Sequence, residues 1–408
     1  MTKARHDAGR RLTLAAGLFF ALAFLLLGLR RQDSLGYLLA AAVPALLLVS
    51  SWVLPRLFSL DRPLLTLTNL LCALGILLLY RMDPSLALRQ ICCFGAGLAA
   101  MLCCLLLVRR VSSWSRIAWG LIPLSLLFLA LPLLSGRTAE GAPAGIALGP
   151  VSLDPGPFVR PALALVLASF LPRRKTLPWL LYACACLVLL LLRQDFGTAL
   201  GCFGAGLLLF WASSGSLSLS LLGLAAGAGA LWYAGSHWEP AVRLFSLWLG
   251  PGADSAAAPL RQGLQAIAEG GLWGSGLGLG SPPPLSGEAP ELIFAVLCEQ
   301  FGQIAGGCVL LLYIALILRA AAVAMSARRA FHGHLAMGSV LLLGLQAFLG
   351  LGGALGLIPF TGTPLPFLSW GGSSLVSCLC LVGFIQGVES VNAADLAEDA
   401  RLAMLDRT

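Results

Sequence analysis

Long apolar runs alternate with short polar segments along almost the whole chain. A crossing helix needs about 20 consecutive apolar residues, and two apolar stretches that exceed one crossing are divided by turn residues at Ser213–Ser216 and between Pro359 and Pro366. The pattern predicts an all-α polytopic membrane protein with about 12 spans. The predicted spans are 12–29, 36–55, 63–80, 91–108, 115–134, 156–172, 176–192, 196–212, 217–236, 291–318, 335–357 and 371–388.

The composition supports this class of protein. Of the 408 residues, 59% are hydrophobic and 11% are charged, whereas a soluble domain has about 45–50% apolar and about 25% charged residues. There are too few polar side chains to cover a water-soluble globule of this size, which excludes a cytosolic enzyme, a disordered chain and a secreted disulfide scaffold. The 12 cysteines lie within apolar runs without zinc-site spacing, and we expect them to be small buried apolar side chains.

The distribution of basic residues indicates the orientation in the membrane. With the N-terminus inside, 17 of the 26 Lys and Arg residues fall in inner segments, where positive charge is enriched in membrane proteins. Both termini are therefore predicted to be cytoplasmic, and the net charge of +8 reflects topology rather than nucleic-acid binding. The longest outer loop is then 237–290, which indicates that the protein works at the outer face.

Charged residues at the ends of membrane helices are costly and are functional candidates. Four predicted outer positions stand out: Arg160 enters span six, Asp195 precedes span eight, Glu291 begins span ten, and Glu299 lies two turns further along. The alternative interpretation is interfacial capping. Asp195 could cap span eight, and Glu291 could occupy a first helical turn, where carboxylates are favoured.

Two segments cannot be regular helix throughout. The Gly-rich stretch 270–280 has no Walker lysine and lies on the outer side, which favours a flexible outer loop packed close to a substrate or a neighbouring backbone over a nucleotide site. The apolar run 359–374 contains helix-breaking prolines and glycines. Because irregular backbone at membrane depth must be buried in protein or line a cavity, this run is predicted to form a cavity wall leading into the last span.

Three motifs carry a specific resemblance. Gly356 to Ser374 reads GLIPFTGTPLPFLSWGGSS, Asp195 to Ala199 reads DFGTA, and Glu291 to Gly302 reads ELIFAVLCEQFG after the Gly-rich stretch. They resemble the SEDS family (shape, elongation, division and sporulation), the bacterial FtsW/RodA/SpoVE group. The resemblance covers residues 63–390 and implies a ten-helix core, with 1–62 as an N-terminal two-helix addition and 391–408 as a short cytoplasmic tail.

The resemblance implies a peptidoglycan glycosyltransferase in the bacterial cytoplasmic membrane, acting in cell division or cell-shape maintenance. Its substrate would be lipid II, a disaccharide-pentapeptide on undecaprenyl pyrophosphate, joined into glycan strands at the outer face. A general base can take the proton of the attacking sugar hydroxyl, and cations can neutralise the pyrophosphate leaving group. A divalent cation (Mg or Mn) is a possible cofactor, and no nucleotide or organic cofactor is implied. The implied partners are a class B penicillin-binding protein and other divisome or elongasome membrane proteins.

The resemblance gives the catalytic role to Glu291, which stands at the position of a family aspartate. Arg160 matches a family lysine, and Arg81, Arg160 and Arg193 are candidate pyrophosphate contacts. The metal ligands are unknown. The full set of predicted substrate-binding residues is Arg81, Arg160, Arg193, Asp195, Gln262, Gln265, Pro366, Ser369, Gly371, Gly372, Ser373 and Ser374.

Three positions depart from the family pattern. Glu291 replaces aspartate, Pro157 stands where glutamate is usual, and Gln194 stands where proline is frequent. The first two lie at the proposed active site, which leaves a catalytically weak or inactive scaffold for a class B penicillin-binding protein as an alternative function. A lipid II flippase is a third hypothesis, which the sequence disfavours because the charged positions cluster outside and the midplane is nearly charge-free.

Overall fold

The computed structural model describes residues 2–111, 113–135, 138–139, 142–143, 146–148, 151–173, 175–250, 258–280 and 292–405. Glu291, the predicted catalytic residue, lies outside the described residues, as do parts of the segments 136–150 and 237–290. Within the described ranges the chain is almost entirely helical, which confirms the predicted fold class.

The helices follow one another with short connections. Residues Val49–Val53 form one π-helical turn between α2 and α3, and two 3-10 turns, Gly156–Phe158 and Leu171–Arg173, flank α7. Before the turn Gly156–Phe158, β1 (Thr138–Ala139) pairs with β2 (Ala142–Pro143), and β3 (Ile146–Leu148) pairs with β4 (Val151–Leu153), both antiparallel. The helices are α1 (Thr2–Arg31), α2 (Ser34–Leu48), α3 (Leu54–Phe58), α4 (Arg62–Met82), α5 (Pro84–Arg110), α6 (Trp114–Ser135), α7 (Val159–Phe170), α8 (Thr176–Leu192), α9 (Phe196–Ser214), α10 (Leu217–His237), α11 (Glu239–Leu249), α12 (Ala258–Gly270), α13 (Ile293–Met325), α14 (Ala330–Ala354) and α15 (Gly372–Leu405).

Every predicted span coincides with a helix, and in the described ranges ten helical segments are long and apolar enough to cross a membrane. The predicted spans 156–172 and 176–192 correspond to α7 and α8, which have 12 and 17 residues. At 1.5 Å per residue, α7 is about 18 Å long, less than the roughly 30 Å of a bilayer core. The total of twelve crossings therefore stays a prediction.

Among the ten segments long enough to cross a membrane, α4, α14 and α15 are the most enclosed, with 72%, 72% and 78% of their most apolar 18 residues buried, whereas the value for α10 is 6%. Small residues allow the close packing. A Cβ added to Gly383 of α15 would lie 2.5 Å from the carbonyl oxygen of Met101 on α5. Membrane helices associate through such small residues because the lipid supplies no hydrophobic driving force between them.

Asp61 joins three helices at the predicted inner face. Its Oδ1 accepts from the Leu64 amide at 2.8 Å and caps α4, and its Oδ2 accepts from Nη2 of Arg319 on α13 at 2.5 Å. The side-chain amide of Gln386 on α15 brackets the Asp61 backbone, donating to its carbonyl at 3.0 Å and accepting from its amide at 2.8 Å. Helices α4, α13 and α15 are thereby fixed to one another at the predicted inner face.

Replacing Asp61 with alanine is expected to lower the free energy of unfolding by about 2–4 kcal/mol, because both a helix cap and a charged hydrogen bond are lost. The matched control is Asp83→Ala. Asp83 is an exposed cap of α5 that accepts from the Ser85 amide at 2.8 Å, and its loss should cost about 1 kcal/mol. Thermal unfolding of both variants in detergent measures the difference, and equal losses would contradict a special role for the Arg319 pair.

Candidate active site

The irregular segment 356–371 connects α14 to α15, and its second half is packed among other helices. The Ser369 hydroxyl accepts from the Leu365 amide at 2.9 Å, which closes a tight turn. Gln90 of α5 donates its side-chain amide to the Ser369 carbonyl at 3.1 Å, and the Tyr313 hydroxyl of α13 donates to the Pro366 carbonyl at 2.7 Å. The segment is non-helical, as predicted, and residues 365–369 are buried. The predicted cavity wall stays a prediction.

Arg160, at the start of α7, is only 3% exposed and is held by two neutral acceptors. Its Nη1 donates to Oε1 of Gln346 on α14 at 2.6 Å, and its Nη2 donates to the Thr198 hydroxyl of α9 at 3.0 Å. The Gln346 side-chain nitrogen in turn donates to the Pro364 carbonyl at 2.8 Å and to the Ser374 hydroxyl at 3.1 Å. Arg160 is thus tied to the segment 356–371 through one glutamine, and neither of its two acceptors carries a charge.

Arg193 lies beside Arg160's partners and pairs with Asp154. Its Nη2 donates to Asp154 Oδ1 at 2.6 Å, and the Asp154 amide donates to the Ser373 hydroxyl at 3.0 Å. Asp195 Oδ1 accepts from the Thr198 amide at 3.0 Å, so the capping interpretation of Asp195 is confirmed. We call this group the Arg160 cluster; its members are Asp154, Arg160, Arg193, Asp195, Thr198, Gln346, Ser373 and Ser374.

Asp195 should make the stability of the protein depend on pH. Desolvation by the surrounding protein, and next the nearby Asp154 carboxylate, raise the pKa of Asp195 above its ordinary value of 3.8. Between 3.8 and the raised value the folded state binds more protons than the unfolded state. The contribution of Asp195 is therefore most favourable at low pH and is lost as the pH rises through the raised pKa.

We expect Asp195→Asn to remove this dependence, because asparagine still caps a helix but does not titrate. Relative to the wild type, the variant should gain stability as the pH rises from about 4 to about 8. Thermal unfolding of the two proteins across this range gives the measurement. A difference that stays constant with pH would contradict the raised pKa.

A second polar group surrounds Arg81 at the end of α4. Arg81 Nη1 lies 3.3 Å from Glu299 Oε2, and both side chains are 5% exposed. Arg81 also donates to the Gly280 carbonyl. With the Gln300 amide oriented so that its oxygen faces the guanidinium, that oxygen accepts from Arg81 Nη1 at 2.6 Å. The Ser275 hydroxyl donates to Glu299 Oε1 at 3.1 Å. These five residues form what we call the Arg81 cluster.

The Arg81 cluster depends on a break in α13. At Gly302 the backbone has φ 83° and ψ 169°, so α13 consists of two helices joined at this residue. The Gly-rich loop 270–280 fills the break: Ser275 donates its amide to the Glu299 carbonyl at 2.9 Å, and Gly271 accepts from the Gln303 amide at 2.9 Å. A Cβ at Gly302 would collide with the Leu272 carbonyl, so only glycine fits. The predicted packing of this loop against a neighbouring backbone is confirmed.

The structure thus distributes the predicted site residues over distinct places. Arg160, Arg193, Asp195, Ser373 and Ser374 come together in the Arg160 cluster, and Arg81 lies in the Arg81 cluster. Ser369 and Pro366 shape the irregular segment, and Gly371 and Gly372 lie half-buried at the start of α15. On α12, Gln262 is half-buried, and Gln265 is exposed and donates to Glu269 at 2.7 Å.

Sequence reasoning missed Gln346 and Thr198, the partners of Arg160. It also left Gln300 and Gln90 without a role. A usable signal existed, because uncharged polar side chains are rare in apolar spans and must find hydrogen-bond partners there. Glutamines within predicted spans would have pointed to Gln300 and Gln346.

The structure describes two of the three positions that depart from the family pattern. Pro157 is buried in a 3-10 turn, where its carbonyl accepts from the Ser377 hydroxyl at 2.5 Å. Gln194 has φ 61°, a left-handed conformation. Since the proline ring fixes φ near −65°, the turn before α9 could not keep this conformation with the more frequent proline.

The described residues contain no group of three or more His, Cys, Asp or Glu side chains arranged to hold a metal ion. Divalent cations of the magnesium type prefer carboxylate and carbonyl oxygen ligands. The three carboxylates of the two clusters already serve other groups: Asp154 pairs with Arg193, Asp195 caps α9, and Glu299 pairs with Arg81. These residues do not fit a divalent cation.

Comparison with known proteins places the chain among membrane-bound cell-wall proteins. Residues 63–393 match the FtsW/RodA/SpoVE family, described as cell cycle proteins. Stage V sporulation protein E of Bacillus subtilis is 28% identical over 364 residues, covering 80% of this chain and 96% of that protein. The probable peptidoglycan glycosyltransferase FtsW of Halorhodospira halophila is 34% identical over 297 residues, covering 67% and 74%.

The fold is similar as well. This chain superposes on a chain from a peptidoglycan synthase complex with a TM-score of 0.69 at 28% identity. The structure of that complex concerns the structural coordination of polymerization and crosslinking. The superposition covers 82% of this chain and 98% of that chain. The family match includes both polar clusters and excludes α1, α2 and α3. The chain is therefore a multi-pass protein of the bacterial cytoplasmic membrane that belongs to the FtsW/RodA/SpoVE family of cell cycle proteins.

Proposed function

We propose that this protein is a peptidoglycan glycosyltransferase that polymerises lipid II into glycan strands at the outer face of the membrane. The observation that carries the proposal is the buried guanidinium groups of Arg81 and Arg160, one in each polar cluster and both within the residues that match the family. Relatives such as the Halorhodospira halophila protein are named as probable peptidoglycan glycosyltransferases. Two buried cations at the predicted outer ends of membrane helices suit a membrane-anchored diphosphate.

The reaction joins a sugar hydroxyl of one substrate to the anomeric carbon of another. A carbon–oxygen bond forms at that carbon, the bond to the pyrophosphate oxygen breaks, and the undecaprenyl pyrophosphate leaves. We assign the hydroxyl proton to Glu291, acting as general base. Negative charge that develops on the leaving pyrophosphate would be stabilised by arginines that are already in place.

The net positive charge around the Arg81 cluster favours binding of a diphosphate. Glu299 balances one positive charge, but Arg30 and Arg31 of α1 also approach Arg81, so the surroundings keep an excess of positive charge. Arginine binds phosphate oxygens through a planar fork of N–H donors. A substrate phosphate oxygen could therefore take the place of a protein acceptor in this cluster.

A partner protein belongs to the proposal. One structural relative is part of a peptidoglycan synthase complex that combines polymerization and crosslinking. We propose a class B penicillin-binding protein as the crosslinking partner of this chain, with its single membrane helix docked against α13 and α14. Other divisome or elongasome proteins would join the same assembly.

The test is polymerisation of labelled lipid II by the purified full-length protein with its class B penicillin-binding protein, read as a ladder of glycan products on a gel. A ladder that requires the protein supports the proposal. The replacement of the family residues at Glu291 and Pro157 motivates a second candidate, a non-catalytic scaffold. Absence of glycan together with rescue of a depletion strain by Glu291→Ala would establish the scaffold instead.

The flippase hypothesis and the requirement for a divalent cation can be tested with the same purified protein. Transfer of labelled lipid II across vesicle membranes, independent of Glu291, would establish a flippase. Addition of a chelator, followed by Mg²⁺ or Mn²⁺, tests whether a divalent cation is required.

A further inference from the structure

The N-terminal helices α1 to α3 lie outside the family match, yet α1 and α2 pack against α4 near the Arg81 cluster. The rings of Phe24 and Tyr80 have centroids 5.8 Å apart. A Cβ added to Gly36 of α2 would lie 2.5 Å from the Tyr80 hydroxyl, which shows how closely the hairpin approaches. We call α1 and α2, with their connecting turn, the N-terminal hairpin.

Arg31, the last residue of α1, holds the outer end of α4. Its Nη1 donates to the Tyr80 carbonyl at 3.0 Å, its Nη2 donates to the Arg81 carbonyl, and its guanidinium lies 5.5 Å from the Tyr80 ring centroid. The last carbonyls of a helix lack intrahelical partners and attract cations. Arg31 therefore fixes the backbone of the residue whose side chain pairs with Glu299.

Arg30 holds the other side of the same cluster. Its Nη1 donates to the Gly278 carbonyl at 2.8 Å, in the Gly-rich loop. Gly278 has φ 75°, and a Cβ there would lie 2.9 Å from Cδ2 of Leu27 on α1. Two residues further along, the Gly280 carbonyl accepts from Arg81. The C-terminal end of α1 thus contacts both the backbone of Arg81 and the Gly-rich loop that Arg81 binds.

This arrangement has an electrostatic cost. Arg30, Arg31 and Arg81 carry like charges at the ends of two neighbouring helices, and such charges repel. A hairpin that served only to pack against α4 would not need two adjacent arginines at this point. This repulsion is explained if the guanidinium groups of Arg30 and Arg31 hold Arg81 and the Gly-rich loop in place.

We propose that the N-terminal hairpin is a clamp that positions the Arg81 cluster, with Arg31 holding α4 and Arg30 holding the Gly-rich loop. Arg30 and Arg31 are positioning residues. The expected effect of the hairpin on polymerisation rests on the proposed function. The contacts of the hairpin with α4 and the Gly-rich loop do not depend on that function. Its consequence is that this chain requires its two additional helices for full activity.

The test compares Arg30→Met and Arg31→Met with Arg243→Met in the full-length protein. Arg243 is an exposed arginine on α11 and serves as the matched control. The measurement is amide hydrogen exchange. Arg30→Met should raise the exchange rate in the loop 271–280 about tenfold, and Arg31→Met should raise the exchange rate at residues 79–83 about tenfold. Arg243→Met should leave both exchange rates unchanged. Lipid II polymerisation should fall about tenfold in both hairpin variants, because misplaced groups lose rate steeply.

Two additional variants separate positioning from folding. Arg31→Lys keeps a donor for the two carbonyls and should restore most of the rate that Arg31→Met loses. Adding Arg31→Met to Arg81→Met should cost no further activity, since the effect of Arg31 passes through Arg81. An unfolded hairpin would produce neither result.

Each outcome decides a separate claim. Unchanged exchange in both hairpin variants overturns the clamp, and faster exchange with undiminished polymerisation overturns its positioning role. If the wild type makes no glycan while exchange rises as expected, the clamp is supported and the proposed function is the part that fails.

Discussion

Glu291→Ala is expected to lower the rate of glycan polymerisation by on the order of 10²- to 10⁴-fold, the usual contribution of a general base. Without the carboxylate, the attacking sugar hydroxyl has no group at this position to take its proton. The measurement is the initial rate of glycan formation from labelled lipid II, with the penicillin-binding protein present. We expect the thermal unfolding midpoint to change little.

Three variants make this prediction specific. Glu291→Gln keeps the shape and removes the base, so retained polymerisation in this variant would exclude Glu291 as the base. Glu291→Asp restores the residue usual in the family and should keep substantial activity, with a change that reflects one methylene of reach. Glu239→Ala removes an exposed glutamate at the start of α11 and should leave the rate unchanged.

Arg81→Met is expected to have the second largest effect, in activity and in stability together. Loss of a preorganised cation at the leaving group should lower the polymerisation rate by on the order of 10²- to 10³-fold. Glu299 would also remain buried without its cation, which should cost about 3–5 kcal/mol of unfolding free energy. Thermal unfolding and glycan synthesis on the same preparation measure the two effects.

The double variant Arg81→Met/Glu299→Met separates these effects. Replacing both partners of a buried ion pair by apolar side chains restores stability in many proteins, so the unfolding midpoint should recover. Polymerisation should stay low, because the cation is still missing. Recovery of both properties would mean that Arg81 has a structural role and does not contact the substrate.

Much of the architecture follows from local properties of the sequence. Each predicted span became a helix, because a bilayer-length apolar run leaves the backbone no partners other than its own. The turn between α9 and α10 was predicted from Ser213–Ser216, and the structure has Gly215 there with φ 65°. The non-helical backbone before Gly372 in the run 359–374 and the capping role of Asp195 were also predictable, since proline, glycine and aspartate act within a few residues of their own position.

The partners of the charged residues were decided by the tertiary structure alone. Arg160 is 186 positions from Gln346, Arg81 is 218 from Glu299, and Arg30 is 248 from Gly278. Such contacts depend on which helices pack together and on their rotation, and hydrophobic periodicity carries no information about either in a chain that is apolar on all sides. The break in α13 at Gly302 was likewise decided by the tertiary structure. Glycine permits the conformation, but the Gly-rich loop, which satisfies the freed backbone groups, makes it stable.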